Sequence, residues 1–300
     1  MDKFKQIETF VAVAAKGSLS AAANAEGVAP AIIGRRIDAL EERLGVKLLL
    51  RTTRKVSLTF EGAAFLEDCQ RILNDFNNAE ASVSLGGVKA SGHLKVTAPA
   101  GFARVHLAPL IPLFLESNKE VSLSLDLTDR IADVVNENID VAIRIGQLDD
   151  SNLIGVKLAD NQRVVVASPA YLKRHGTPTH PAQLAAHNCL TFGLSGSQSR
   201  GWLFLIDGVV SAIKISGQIE CSDGSVLHDW AINGHGIAWR SMWEVSADID
   251  EGRLIRILEP FKAPDNAIYA VFAQRKQMPL RVRMFIDFLK ANLKTQAPFN

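Results

Sequence analysis

Four aliphatic residues, Ile33, Ile37, Leu40 and Leu44, recur at i, i+4, i+7 and i+11, and they constrain this chain more than any other feature. With roughly 3.6 residues per turn they form one buried stripe on a helix. That helix opens at Pro30, where a missing N–H costs nothing, and closes at Gly45. Its opposite face carries Gly34, Arg35, Arg36, Asp38 and Glu42, which is left for water or for a partner. The surrounding segment is basic. Between Gly27 and Phe60, Arg35, Arg36, Arg43, Lys47, Arg51, Arg54 and Lys55 stand against Asp38, Glu41 and Glu42, although the net charge of the whole chain is only +1. Charge gathered on one short segment is what docking on a phosphate backbone requires.

The flanking residues complete a small domain. Phe4, Ile7, Phe10, Val11 and Ala14 predict a first helix over residues 3–15, ended by Gly17. Ser18 or Ser20 can cap a second, over 21–25, by accepting a free backbone N–H; Gly27 makes the turn and Val28 plugs the core. After Gly45, residues 46–59 read as a hairpin with Leu48, Leu49 and Leu50 on one side and Val56, Ser57 and Leu58 on the other. Its polar tip is Thr52-Thr53-Arg54-Lys55. This order predicts an all-α winged helix-turn-helix over residues 1–59, a fold that puts one helix into the major groove. Thr59 then caps a long helix over about 60–85. Phe65, Leu66, Cys69, Ile72, Leu73, Phe76, Ala79 and Val83 give it a narrow stripe that wants a partner, most simply an identical chain. Residues 60–91 therefore read as a dimerisation linker, with hinge signals at Gly86-Gly87 and Ser91-Gly92.

Beyond Gly92 strands alternate with helices. Strands are expected at 93–97, 121–127, 141–145, 164–167, 213–219 and 268–272, and helices at 105–117, 131–136, 169–175, 225–232, 241–245 and 280–293. That alternation predicts an α/β domain with parallel strands over 92–300, in two lobes: 92–162 with 267–295, and 163–266. Ligands of such folds sit at the carboxyl ends of strands, where helix N-termini favour anions. The expected site therefore takes in Thr97, Ala98, Pro99, Ala100 and Gly101, with Thr128 and the Ile145-Gly146 pair. Trp202 and Trp239 are candidates for an aromatic wall, and Arg144 for pairing either a ligand carboxylate or Asp140 or Asp149.

Other classes fare worse. A hydrophobic fraction of 47% with 22% charged residues suits a protein with a sizeable core, and no stretch is long and apolar enough to span a membrane. The start lacks a secretory pattern, which predicts a cytoplasmic protein. Cys69, Cys189 and Cys221 are widely spaced and read as reduced thiols, with a Cys189–Cys221 redox pair as the sharper alternative. The seven histidines (93, 106, 175, 180, 187, 228, 235) show no metal-ligand spacing. Gly193-Leu194-Ser195-Gly196-Ser197 ends in serine where a nucleophile elbow needs glycine. No catalytic residue, metal or cofactor is expected, and the chain reads as a non-enzyme.

Three stretches carry a family resemblance: Gly17-Ser18-Leu19-Ser20-Ala21-Ala22-Ala23, the run from Arg35 to Leu49, and the run from Arg51 to Gly62. Over these the chain resembles the N-terminal signature of LysR-type transcriptional regulators. Phe114 with Glu120-Val121, the run Asp140 to Gly146, and Ser168-Pro169-Ala170-Tyr171-Leu172 are similar to that family's effector domain, a relative of type 2 periplasmic binding proteins. The resemblance implies an effector-controlled, sequence-specific DNA-binding regulator. It implies DNA contact through Pro30, Ala31, Gly34, Arg35, Arg36, Thr53 and Arg54, with Arg54 in the minor groove. From the second lobe it adds Phe192 and Ser222-Asp223-Gly224 to the effector cleft. The implied partners are duplex DNA with an interrupted near-palindrome, a small organic effector, and further copies of the chain as a homodimer or a tetramer. It also admits RNA polymerase as a partner at the promoter. One departure stands out: Ala29-Pro30-Ala31-Ile32-Ile33-Gly34 holds no hydroxyl or amide to read a base edge, where family members often carry one. A solute-binding protein without regulatory DNA binding is the alternative reading.

Overall fold

The computed structural model describes residues 2–51, 56–83, 89–130, 132–146, 148, 153–193, 201–274 and 278–294. The chain forms two compact units, Met1–Val88 and Lys89–Asn300.

In the first unit three helices, α1 (Lys3–Lys16), α2 (Leu19–Glu26) and α3 (Pro30–Leu44), precede a short antiparallel hairpin of β1 (Leu49–Arg51) and β2 (Val56–Leu58). The helix α4 (Phe60–Val83) follows. Glycine stops each of the first three helices: Gly17, Gly27 and Gly45 take φ of 60°, 67° and 72°, the left-handed region where a Cβ is costly. Ser18, the nearer of the two candidate caps, accepts the Ala21 N–H. Ile33, Ile37 and Leu40 are buried with Phe10, Val13, Ala22, Ala23, Leu48 and Leu49 in one core. Leu44, the last of the stripe, packs against its edge.

The second unit contains two five-stranded sheets. The chain runs through β3 (Gly92–Ala98), the short helix α5 (Ala100–Phe102), a π turn at Ala103–Leu107 and α6 (Leu110–Ser117). Next come β4 (Val121–Leu127), β5 (Val141–Ile145) and β6 (Leu153–Ala159). It then crosses to the other lobe with β7 (Arg163–Ala167), α7 (Pro169–His175), a 3-10 turn at Pro181–Ala186 and β8 (Cys189–Phe192). A hairpin of β9 (Trp202–Ile206) and β10 (Val209–Ile213) precedes β11 (Glu220–Cys221), α8 (Gly224–Ile232), β12 (Ile237–Ser241), α9 (Met242–Asp250) and β13 (Ile255–Ile257). Finally β14 (Ile268–Ala273) and α10 (Leu280–Leu293) return to the first lobe.

The sheet orders are β4-β3-β5-β14-β6 and β11-β8-β12-β7-β13. Both are mixed, which corrects the expectation of parallel strands. β3 runs parallel to β4 and β5, but β14 arrives from the other lobe and pairs antiparallel with β5 and β6. In the second sheet β7 is likewise antiparallel to β12 and β13. The two crossings lie side by side: Asn161 Nδ2 donates to the Asn266 carbonyl at 3.1 Å and to Ser241 Oγ at 3.2 Å.

Three local expectations also need correction. The helix expected over 105–117 is broken, because Pro109 offers no N–H and the Ala108 N–H reaches back to Ala103 in a π turn. Within 131–136 the described residues turn instead of forming a helix. Asp133 accepts the Val135 and Asn136 N–H groups and the Asn136 side chain, a local alternative to helix hydrogen bonding. The strand expected at 213–219 ends at Ile213, the last residue of the β9–β10 hairpin.

Candidate effector cavity and DNA-reading face

In the N-terminal unit, Pro30, Ala31 and Arg35 are exposed on the first turns of α3. Gly34 sits between them, with no atom within 4 Å of where a Cβ would project. Arg35 makes no hydrogen bond or ion pair among the described residues, so its fork is available to a base edge or phosphate. Arg36, expected on the same face, is turned inward. Its NH1 lies 2.6 Å from Glu26 Oε2 and 3.3 Å from Thr9 Oγ1, and it ties α3 to α2 and α1. Burial pushes the Glu26 carboxyl upward, but Arg36 and Lys5 outweigh it and hold the group below its ordinary range. The ion pair therefore persists at neutral pH. Lys47 and Arg51 are similarly engaged, with Glu41 at 2.7 Å and Asp38 at 2.8 Å respectively. Thr53 and Arg54 lie outside the described residues.

In the second unit a cavity of about 370 Å³ opens at the ends of both sheets, within the range of small-ligand sites. Pro99, Gly101, Ile145, Phe192 and Gly224, all expected from the sequence, line it. So do Phe102, Asp129, Ala132, Leu148, Leu153, Ser241 and Val271, which were not foreseen. Trp239 supplies the aromatic wall, while Trp202 is fully buried behind it with ring centroids 6.1 Å apart. Trp243 reaches the cavity from α9 and meets Phe102 from the other lobe edge-on, at 5.5 Å.

The remaining expected residues do not line it. Thr97 and Ala98 are buried beneath the cavity. The Gly146 N–H donates to the Ala267 carbonyl. Thr128 Oγ1 accepts the Arg130 N–H, Ser222 is exposed, and Asp223 caps α8 by accepting the Ser225 and Val226 N–H groups. The Ala100 amide, expected to greet a ligand anion, already donates to Asp129 Oδ1 at 3.1 Å. The Gly224 backbone amide, on the opposite wall, also favours the Asp129 carboxylate. Burial raises its pKa against the pull of those amides.

Thr97 allows a sharp test. Its Oγ1 is buried with no hydrogen-bond partner among the described residues, so the hydroxyl is desolvated without compensation. Thr97→Val is therefore expected to leave thermal stability unchanged or raise it by up to about 1 kcal/mol. A loss of stability of that size would show that the hydroxyl is bonded.

Three arginines face the cavity. Arg240 is matched, with Nε 2.9 Å and NH2 2.5 Å from the two oxygens of Glu244. Arg144 donates to the carbonyls of Ala132 and Arg130 at 2.6 and 3.4 Å. Asp140, one of its expected partners, instead accepts the Lys95 N–H; Asp149 lies outside the described residues. Arg163 stacks over Trp239, 4.6 Å from the ring centroid, and its Nε is buried with no acceptor among the described residues. Burial, with Arg240 nearby, pushes its pKa down to about 10, which still leaves it charged at neutral pH. Neither Arg163 nor Arg240 had been marked in the sequence. The signal was present: each is a charged residue at the end of a buried apolar run, Val164–Ala167 and Ile237–Trp239.

The cysteines are ordinary thiols. Burial pushes Cys69 up to about 11 and Cys189 up to about 12, so neither holds a thiolate at neutral pH. Cys221 pairs across from Phe192, three residues along β8 from Cys189. That separation is about 10 Å along the strand, too far for a disulfide.

Comparison with known proteins decides the family. Residues 4–63 match the bacterial regulatory helix-turn-helix protein model of the lysR family, and residues 88–294 match the LysR substrate binding domain. The chain belongs to the LysR family of transcriptional regulators. Similar proteins include the HTH-type transcriptional regulator DmlR of Escherichia coli K12, 36% identical over 95% of this chain and 92% of that protein. The regulator CrgA of Neisseria meningitidis (strain 8013) is 38% identical over 96% of both chains. Among solved structures, CrgA from Neisseria meningitidis matches with a TM-score of 0.61 at 36% identity, over 96% of this chain and 98% of that one. Full-length AphB of Vibrio cholerae matches with a TM-score of 0.58 at 27% identity, over 97% and 99%. This LysR-type regulator thus joins a helix-turn-helix head to an effector-binding domain. Among the described residues no helix is long and apolar enough to cross a membrane.

Proposed function

We propose that this regulator acts in the cytoplasm and reads DNA through the first turns of α3, with residues 1–59 as the reading head. Pro30, Ala31 and Gly34 allow close approach to the groove floor, and Arg35 forks onto a guanine. Thr53 and Arg54 at the wing tip complete the contact from the phosphate backbone and the minor groove. Residues 60–91 join two copies, so that the operator is an interrupted near-palindrome. Ile72 and Phe76 support that pairing, because both remain exposed on α4. Residues 92–300 sense a small molecule in the interlobe cavity.

The observation that carries the DNA reading is the exposed Arg35, without a partner among the described residues, on a helix where Arg36 pairs with Glu26 and Arg43 Nε donates to Gln6 Oε1 at 3.4 Å. Selecting fragments from a promoter library with the purified protein tests it. Arg35→Ala is expected to relax base preference at one position per half-site, at a cost of about 1–3 kcal/mol there. Arg36→Ala is expected to act differently, lowering the stability of the helical head without a position-specific change in preference. Equal enrichment of random fragments by wild type and Arg35→Ala removes the assignment.

A further inference from the structure

We infer that the effector is a small organic carboxylate, and that Arg163 is the residue that grips it. This rests on the reading of the interlobe cavity as the effector site, and deepens it by naming the ligand's chemistry.

The argument is one of charge matching. Of the carboxylates on the cavity wall, Glu244 gives both oxygens to Arg240. Asp129 accepts the Ala100 amide at 3.1 Å. Arg163 is left with no hydrogen-bond or ion-pair partner among the described residues. Its compensation is the face of Trp239 and the more distant pull of Glu244, whose two oxygens are already bonded to Arg240. A desolvated guanidinium held this way is costly unless an anion joins it. The neighbouring donors point the same way: the indole N–H groups of Trp239 and Trp243 are buried without acceptors. Among the described cavity-lining residues, the buried polar side-chain atoms left without a partner are thus all donors. A carboxylate supplies two acceptor oxygens in the planar spacing that a guanidinium fork matches. The rest of the wall, with Phe102, Phe192, Leu153 and Val271, suits a carbon skeleton.

Arg163 is a poor candidate for a purely structural role. A structural arginine is tied to carbonyls or carboxylates, as Arg144 and Arg240 are. Removing Arg163 should therefore relieve the empty protein and harm only the liganded one.

The experiment is a thermal-unfolding panel on the full chain at constant ionic strength. The probes are small aliphatic and aromatic carboxylates, each beside its uncharged primary carboxamide, with chloride as the reference anion. Arg163→Met keeps the stem over Trp239, and Arg163→Gln serves as a second variant. The expected result has three parts. One or more acids raise the wild-type midpoint and their amides do not. Affinity for those acids falls on the order of 10- to 100-fold in both variants. Without ligand, Arg163→Met melts no lower than wild type. The proposal is overturned if amides stabilise as well as acids do, if acids stabilise Arg163→Met as well as wild type, or if no acid exceeds chloride. Retention of DNA fragments measured with the same probes separates the two levels. Acids that bind through Arg163 without changing DNA retention would remove the sensor reading and leave the carboxylate assignment standing. Uncharged amides that change DNA retention equally in wild type and Arg163→Met would do the reverse.

Discussion

Replacing Gly62 with alanine is expected to destabilise the N-terminal unit by about 3 kcal/mol or more, against a propensity gain of about 1 kcal/mol for Gly→Ala in a helix. Gly62 is the third residue of α4, and a Cβ there would fall well inside contact distance of the Leu48 carbonyl oxygen. That oxygen cannot swing aside, since it accepts the Thr59 N–H at 3.0 Å. Thr59 in turn donates its hydroxyl to the Lys47 carbonyl and accepts the Gly62 N–H, at 2.7 and 2.8 Å. The added methyl must therefore lever the start of α4 off the loop before β1, undoing the cap as it goes. Loss of a cap alone is worth about 1 kcal/mol. Denaturant unfolding and hydrogen exchange across residues 2–51 would measure the effect, and fragment retention should fall with it. Gly34→Ala is the internal control. With open space around its Cβ position, it should stabilise the helix by up to about 1 kcal/mol. If α3 docks as proposed, the same methyl weakens DNA binding. The two glycines, both helical, are thus expected to respond with opposite signs in stability.

The difference between those glycines also marks what a sequence can disclose. Helix boundaries in the N-terminal unit were legible because capping and termination are local: Ser18, Pro30 and the three left-handed glycines act within a few residues of themselves. The stripe of α10, over Leu280–Leu293, was equally plain. Gly62 gave no such sign, since its constraint comes from Leu48 across a fold. The β9–β10 hairpin was legible and overlooked. Asp207-Gly208 between apolar residues is the turn pair that hairpins favour, and both take positive φ, 50° and 80°. The rule that ligands meet strand ends points to Pro99, Gly101 and Ile145, which line the cavity. Ala100, named by the same rule, gives its amide to Asp129, distant in sequence. Arg36 shows the same effect of distant packing. Helical spacing placed it on the outer face, but only the packing of α2 could reveal that Glu26 waits beside it.

Glu41→Ala is the second substitution expected to act strongly, lowering the stability of the same unit by about 3–5 kcal/mol through two stranded amides. Glu41 is almost fully buried near the end of α3. Its Oε1 accepts the N–H groups of Leu48 and Leu49, at 2.9 and 3.1 Å, so a side chain of α3 sews in the strand that begins the hairpin. Its Oε2 meets Lys47 at 2.7 Å and faces Arg51 at 3.8 Å. Lys47 is largely exposed, so that pair by itself contributes about 1 kcal/mol or less. The amides are the larger share, because Leu48 and Leu49 are buried and no water replaces the lost acceptor. Glu41→Gln keeps an acceptor and should cost about 1–2 kcal/mol. Burial pushes the Glu41 pKa upward, but Lys47 and the two amides outweigh it and the net shift is downward. The folded carboxyl therefore titrates below its unfolded value of about 4.3. Its contribution is fully present above that value and is lost as pH falls through the lower, folded one. Acid unfolding should thus be steeper in wild type than in Glu41→Gln across that window, and identical slopes would remove the linkage. Glu41 and Gly62 hold the same loop, residues 45–48, from opposite sides. Combined in one chain, the two substitutions should cost less than their sum, since the first to act already releases what the second would break.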